Sequence, residues 1–205
     1  ISHLDLIRCL TRAFARTDIP VWYTEGFNPH IYLTFPLTLA LGFTSRVETF
    51  DFRLTQDDYP PQKALEELNA ALPADIRIGS IGLPEDRADD IAWADYRIAL
   101  TPAEGVSPEA LAEALGSFLA RPSIPAEKVS KHRTQQVDLA PMFQVLSLEA
   151  GEGKALLSVR QAAGNARNLN ANFLLDTFVQ EAGPLIAFRQ IRRVAVRKED
   201  LSLFR

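Results

Sequence analysis

The chain has 205 residues, 47% of them hydrophobic and 23% charged, which is an ordinary globular composition with apolar material for one large domain or two small ones. No apolar run approaches the roughly 20 residues a membrane-spanning helix needs, and the single cysteine, Cys9, excludes an internal disulfide, so a cytoplasmic protein with no membrane partner is expected. The net charge of −4 argues against indiscriminate nucleic-acid binding, but it is uneven: residues 1–90 hold 8 Lys/Arg against 14 Asp/Glu, residues 91–205 hold 14 against 12.

Taken in order, Ser2 is a good helix N-cap with Asp5 three residues on, and Ile7, Leu10 and Phe14 follow at helical spacing. A helix over about residues 2–16 is predicted. Arg8, Arg12 and Arg16 repeat every four residues on its other side, either a solvated face or a basic ridge. His3 falls on the apolar side, where a half-buried, satisfied histidine is the default.

Residues 23–30 read Tyr-Thr-Glu-Gly-Phe-Asn-Pro-His. Gly26 permits positive φ, Asn28 tolerates turn geometry, and Pro29 fixes its own φ and holds Asn28 extended. Two readings stay open: a structural turn with Phe27 plugging the core, or a polar site on a rigid loop.

Residues 30–35 then alternate, with Ile31, Leu33 and Phe35 on one side and His30, Tyr32 and Thr34 on the other. Residues 46–54 alternate too, placing Arg53 on the side away from Phe50 and Phe52. Pro60-Pro61 opens a helix carrying Leu65, Leu68 and Leu72, and residues 76–83 read as a strand. With one strand placed before residue 1, the order becomes βαββαβ, a ferredoxin-like unit. The polar run at 84–90 is the expected linker.

The second half repeats that order. A strand at 95–100 precedes a helix capped by Ser107-Pro108, and 124–130 reads as an added strand. Segments 136–148 and 155–161 form a hairpin closed at Gly151-Glu152-Gly153-Lys154. A helix over about 170–182 stops at Gly183-Pro184, and 188–197 is the last strand, whose alternation would put Arg189, Arg193 and Arg197 on one side. The fold expected is α+β, two tandem ferredoxin-like domains at 1–88 and 89–205, the first lacking its opening strand.

No cysteine triplet suits an iron–sulfur cluster, and no P-loop, dinucleotide glycine fingerprint, zinc helix or nucleophile elbow is present. No cofactor is expected. The remaining constellation is Ser2, His3, Asp5, Tyr23, Glu25 and His30. It could hold a divalent metal, though the spacing is not that of known ligand pairs and none is expected. It could equally perform metal-free acid–base work on an RNA 2′-hydroxyl.

Residues 1–8 (Ile-Ser-His-Leu-Asp-Leu-Ile-Arg), the 23–30 loop, and Pro36-Leu37 with Gly42, Ser45, Glu48 and Asp51 closely resemble a radical-SAM-linked family of unknown function. The family has Ser-Gln where this chain has Thr24-Glu25, and a Lys soon after the histidine where this chain has Ile31-Tyr32. The resemblance implies a radical SAM protein as partner and a setting in RNA or ribosome metabolism. Three functions follow as expectations. The first is an RNA-binding accessory protein using Arg8, Arg12, Arg16, Tyr32, Arg53, Arg189, Arg193 and Arg197. The second is a metal-independent endoribonuclease using His3, His30 and Tyr23. The third is a structural adaptor. The loop site itself would comprise Ser2, Asp5, Glu25, Gly26, Phe27 and Asn28, docked against the first helix.

Overall fold

Ser2 opens the first helix as its chemistry requires: its hydroxyl accepts the Asp5 N–H at 3.1 Å and donates to the Asp5 carboxylate at 2.6 Å. Helix α1 (His3–Phe14) buries Leu10, Ala13 and Phe14. The structure, a computed structural model, describes residues 1–130, 133–165 and 167–205. The chain is α+β and divides into two units, residues 1–42 with 48–87 and Arg205, and residues 43–47 with 88–204.

In the first unit α1 is followed by β1 (Leu33–Thr34), and a two-residue strand β2 (Thr44–Ser45) leaves to join the second unit's sheet. Then come β3 (Asp51–Phe52) and α2 (Pro61–Ala71). Strands β1 and β3 pair antiparallel, Leu33 opposite Phe52. Segment 20–24 wedges beside them, Val21 bridging Leu54 and Tyr23 bridging Ile31. Leu10, Ala13, Phe14, Ile19, Ile31, Ala64, Leu68 and Leu72 form the buried core, with the Phe14 ring 5.0 Å from that of Phe52. The large side chains among them contribute about 1.5–3 kcal/mol each, a modest driving force consistent with strands of only two residues.

The strand expected at 76–83 does not form a ladder. Ile76, Ile78 and Ile81 still pack against the core. Asn69 on α2 takes over the backbone pairing instead, accepting the Ile78 N–H at 2.9 Å and donating to the Ile78 carbonyl at 3.0 Å. With both groups of Ile78 satisfied by a side chain, the segment needs no neighbouring strand.

The second unit adds β4 (Ile91–Pro102), α3 (Pro108–Leu119), β5 (Pro125–Ser130), β6 (Arg133–Asp138), β7 (Phe143–Gly151), β8 (Lys154–Ala162), α4 (Ala171–Ala182) and β9 (Ile186–Lys198). Its sheet runs β2-β9-β4-β8-β7. The four long strands are mutually antiparallel in the order β9-β4-β8-β7, which matches a βαββαβ ferredoxin-like sheet, and β2 is added parallel to β9. Ser107 caps α3 and Asn170 caps α4. The turn joining β7 to β8 uses positive φ at Glu152 and Gly153 (50° and 75°), the two-residue hairpin geometry that matches strand twist.

The segment read as one strand over 136–148 is two. Pro141 lies in a 3-10 turn at Ala140–Met142, and β6 pairs with β5 as a separate hairpin inserted between α3 and β7. Helices α3 and α4 cover one face of the sheet, burying Leu111, Leu115, Leu174 and Phe178, with the Phe118 and Phe178 rings edge-on at 5.4 Å. Under them lie Tyr96, Ile98 and Leu100 of β4 and Leu157 and Val159 of β8. The Asp95, Arg97 and Ala99 side of β4 is the other face.

Candidate functional site

Loop 23–30 is stitched to itself. The Thr24 N–H donates to the His30 carbonyl at 2.8 Å, and the His30 N–H donates to Thr24 Oγ1 at 3.1 Å. Nδ1 of His30 lies 3.1 Å from both Thr24 Oγ1 and the Asn28 carbonyl. A carbonyl can only accept, so the Asn28 contact is a hydrogen bond when the proton sits on Nδ1, and the residue is exposed. Gly26 supplies the positive φ of 122° that the turn requires.

Phe27 does not plug the core. It is 106% exposed, standing at the apex of the loop with its ring in solvent. The reason is local: Gly26, Asn28 and Pro29 hold the loop away from the first unit's core, and Ile31 fills the apolar position instead. Among the described residues the loop makes no hydrogen bond to Ser2 or Asp5, so the expected hydrogen bond between the loop and the helix N-terminus is not formed. Ser2 and Asp5 serve each other, and Asp5 also pairs with Arg8 at 3.2 Å. The Ser2 hydroxyl, helped by Arg8, holds the exposed Asp5 carboxyl below its ordinary value. His3 stands edge-on to Phe35, ring centroids 4.8 Å apart. The two histidines therefore have different partners and share no hydrogen-bonded group among the described residues.

On α1, Asp5, Arg8, Cys9, Arg12 and Arg16 line a surface groove. The three arginines are not equivalent. Arg8 is paired with Asp5, and Arg16 donates to the carbonyl of Ala71, one of the orphan acceptors that end α2. Arg12 makes no hydrogen bond or ion pair with any described residue and is exposed.

A second feature lies on the outer face of the short strands. Trp22 sits between two neighbours: the Tyr32 N–H donates to the Trp22 carbonyl at 3.2 Å, and the Trp22 N–H donates to the Arg53 carbonyl at 2.7 Å. With Tyr23 bridged to Ile31 and Val21 to Leu54, alternation places Tyr32, Trp22 and Arg53 in one row pointing away from the core. The Trp22 and Tyr32 rings meet edge-on with centroids 6.0 Å apart, and the Arg53 guanidinium lies 5.0 Å from the Trp22 centroid. The row is an aromatic–cation ledge, preorganised by cross-strand contacts. Tyr32 and Arg53 are read from alternation. Trp22 is missed because Pro20 and the lack of an apolar repeat hide the bridged, extended segment at 20–24; its place beside Tyr23 before a glycine loop is the signal that could have found it.

The arginines of β9 depart from the expected row. A bulge opposite Asp95–Tyr96 pairs Tyr96 with Arg193 but Asp95 with Ala195, so an extra residue intervenes and the alternation flips. Arg189 and Arg193 lie on the helix-covered face and Arg197 on the other. Arg193 is 3% exposed, its guanidinium carbon 5.8 Å from the Tyr96 ring centroid, and Arg189 pairs with Asp176. Arg197 donates to Asp95 at 2.6 Å and to the Leu201 carbonyl at 2.7 Å. These three serve the fold of the second unit. Among the described residues no three His, Cys, Asp or Glu side chains cluster as a metal site would require.

The model of a family described as "uncharacterized protein conserved in bacteria (DUF2344)" matches residues 1–171. The chain belongs to that family. Both the α1–loop constellation and the Tyr32–Trp22–Arg53 ledge lie inside the DUF2344 match, as do β4, β7 and β8 of the second unit. No curated protein and no solved structure matches the chain.

Proposed function

We propose that this DUF2344 protein is an RNA-binding accessory protein that works with a radical SAM protein in RNA or ribosome metabolism. The observation that carries the RNA part is the Tyr32–Trp22–Arg53 ledge. Single-stranded RNA is held by aromatic faces that stack unpaired bases and by cations that follow the phosphates, and an arginine over a ring adds to both. Arg12, exposed and unengaged on α1, supplies a further charge. Separate surroundings for His3 and His30 disfavour a two-histidine nuclease, which needs base and acid converging on one phosphodiester. The radical SAM partner rests on the resemblance of residues 1–51 to the radical-SAM-linked family.

The test is binding of short single-stranded oligoribonucleotides to the full chain by fluorescence anisotropy at low and physiological salt. Each stacked base contributes about 1–3 kcal/mol, so Tyr32→Ala or Trp22→Ala raises Kd by roughly five- to hundredfold. Affinity unchanged in both variants removes the ledge from the account. Pull-down with the tagged chain from its own host, read for radical SAM proteins by mass spectrometry, tests the partner, and recovery of none, with or without RNA, refutes that part.

A further inference from the structure

The open face of the second unit carries a row that the first unit's ledge does not explain. Register places Arg97 of β4 directly opposite Arg192 of β9, and Ser158 of β8 opposite Arg97. Ser147 of β7 lies opposite Ser158, and Thr44 of β2 lies beside Arg192. Thr44, Arg192, Arg97, Ser158 and Ser147 thus form one line across all five strands, on the side away from Tyr96, Ile98 and Leu157. Arg97 and Arg192 are both exposed, and neither makes a hydrogen bond or ion pair with any described residue.

Two like charges in direct cross-strand register destabilise a sheet, and no described residue pairs with either of them. The nearest row cannot. Its carboxylate, Asp95, already accepts from Arg160 at 2.7 and 3.1 Å and from Arg197 at 2.6 Å. Arg97, Arg192, Arg160, Arg197 and Lys154 stand on this face against Asp95 and Glu149, so its net charge is positive although that of the chain is −4. On the other side of the row, β9 turns Phe188 outward at 64% exposure, four residues or about 13 Å from Arg192.

We propose that this row is a second contact for single-stranded RNA, with a phosphodiester seated on the Arg97–Arg192 pair and an unpaired base on Phe188. The phosphate fits because arginine forks donate to its oxygens in pairs while the flanking hydroxyl of Ser158 donates to another; that of Thr44 is turned to the Ile191 carbonyl. The exposed ring about 13 Å along the same strand favours a nucleobase over an acidic peptide, which brings no flat partner for it. The identity of the ligand rests on the RNA reading above; the place where an anion binds does not.

The experiment is NMR of the uniformly labelled full chain titrated with tripolyphosphate, with a decauridylate and with polyglutamate, alongside Arg97→Gln/Arg192→Gln and Tyr32→Ala variants. Tripolyphosphate and decauridylate are expected to shift the arginine side-chain resonances of positions 97 and 192 and the amides of Thr44, Ser147 and Ser158. The double variant abolishes those shifts and lowers the slope of log affinity against log salt for decauridylate by about 1.4, roughly 0.7 per lost contact. Both substitutions are on exposed positions, so the unfolding midpoint is retained or raised. Tyr32→Ala keeps the tripolyphosphate shifts. Decauridylate binding with an unchanged slope in the double variant overturns this inference and leaves the ledge standing. Tripolyphosphate shifts at the row with no decauridylate binding anywhere overturn RNA as the occupant and the RNA function together. Polyglutamate shifting the row while decauridylate leaves it unmoved assigns the row to an acidic protein and overturns the proposal.

Discussion

Asp95→Asn removes one charge from a three-residue cluster, and the structure sets the scale of the loss. The Asp95 residue is 5% exposed, and the side chains of its partners Arg160 and Arg197 are 13% and 26% exposed. Breaking a buried pair by deleting one partner costs about 3–5 kcal/mol, because the remaining charge stays desolvated. Arg197 retains the Leu201 carbonyl and partial solvent contact, and Arg160 keeps some solvent contact too, so the lower end, about 3 kcal/mol, is expected. Burial alone would push the Asp95 carboxyl up, but hydrogen bonds and charges from Arg160 and Arg197 outweigh it and hold the group below its ordinary value. A depressed carboxyl contributes stability that is present above its unfolded value near pH 4 and is lost as pH falls through the folded value, so the variant also loses that acid limb. Trp93, on β4 beside Asp95, reports the second unit by fluorescence once Trp22→Phe silences the other tryptophan. Urea unfolding with a slope of about 2 kcal/mol/M then shows a midpoint lowered by about 1.5 M. A loss below about 1 kcal/mol at neutral pH means that the cluster behaves as a solvated surface pair, and the reasoning fails.

Gly164→Ala places a Cβ 2.5 Å from the Ile91 carbonyl oxygen, and since that atom is backbone the strand entry must move; a loss of about 1–3 kcal/mol is expected in the same Trp93 assay, and an unchanged midpoint contradicts the packing described. Asn69→Ala strips both backbone partners from Ile78, so hydrogen exchange at residues 76–81 accelerates and the first unit loses about 1–3 kcal/mol; unchanged protection there shows that the Asn69 bridge does not hold the segment.

Much of the second unit is legible in the sequence because its signals are local. Ser107-Pro108, Asn170 and Gly183 mark helix ends by hydrogen-bond chemistry, and Glu152-Gly153 marks a turn by its φ requirement. The β9 bulge leaves no such mark. It is a property of how β9 pairs with β4, and one extra residue at position 194 is enough to carry Arg197 to the other face from Arg189. The first unit is harder to read for the same reason. Residues 76–83 carry an apolar strand pattern, yet Asn69 from α2 captures their backbone groups, a tertiary event that periodicity does not encode. At the candidate site, Gly26, Tyr32 and Arg53 are readable from φ and alternation. Trp22 belongs with them only because Pro20–Thr24 finds partners on both sides at once.

In the proposed complex, unpaired bases rest on the Tyr32–Trp22–Arg53 ledge. Ultraviolet crosslinking of 4-thiouridine-labelled single-stranded RNA to the full chain, with the adducts mapped by mass spectrometry, tests it most directly. Adducts are expected at Trp22 or Tyr32, competed away by unlabelled single strands and not by duplex RNA. Adducts confined to other residues of the first unit, or none at all at low salt, would contradict it.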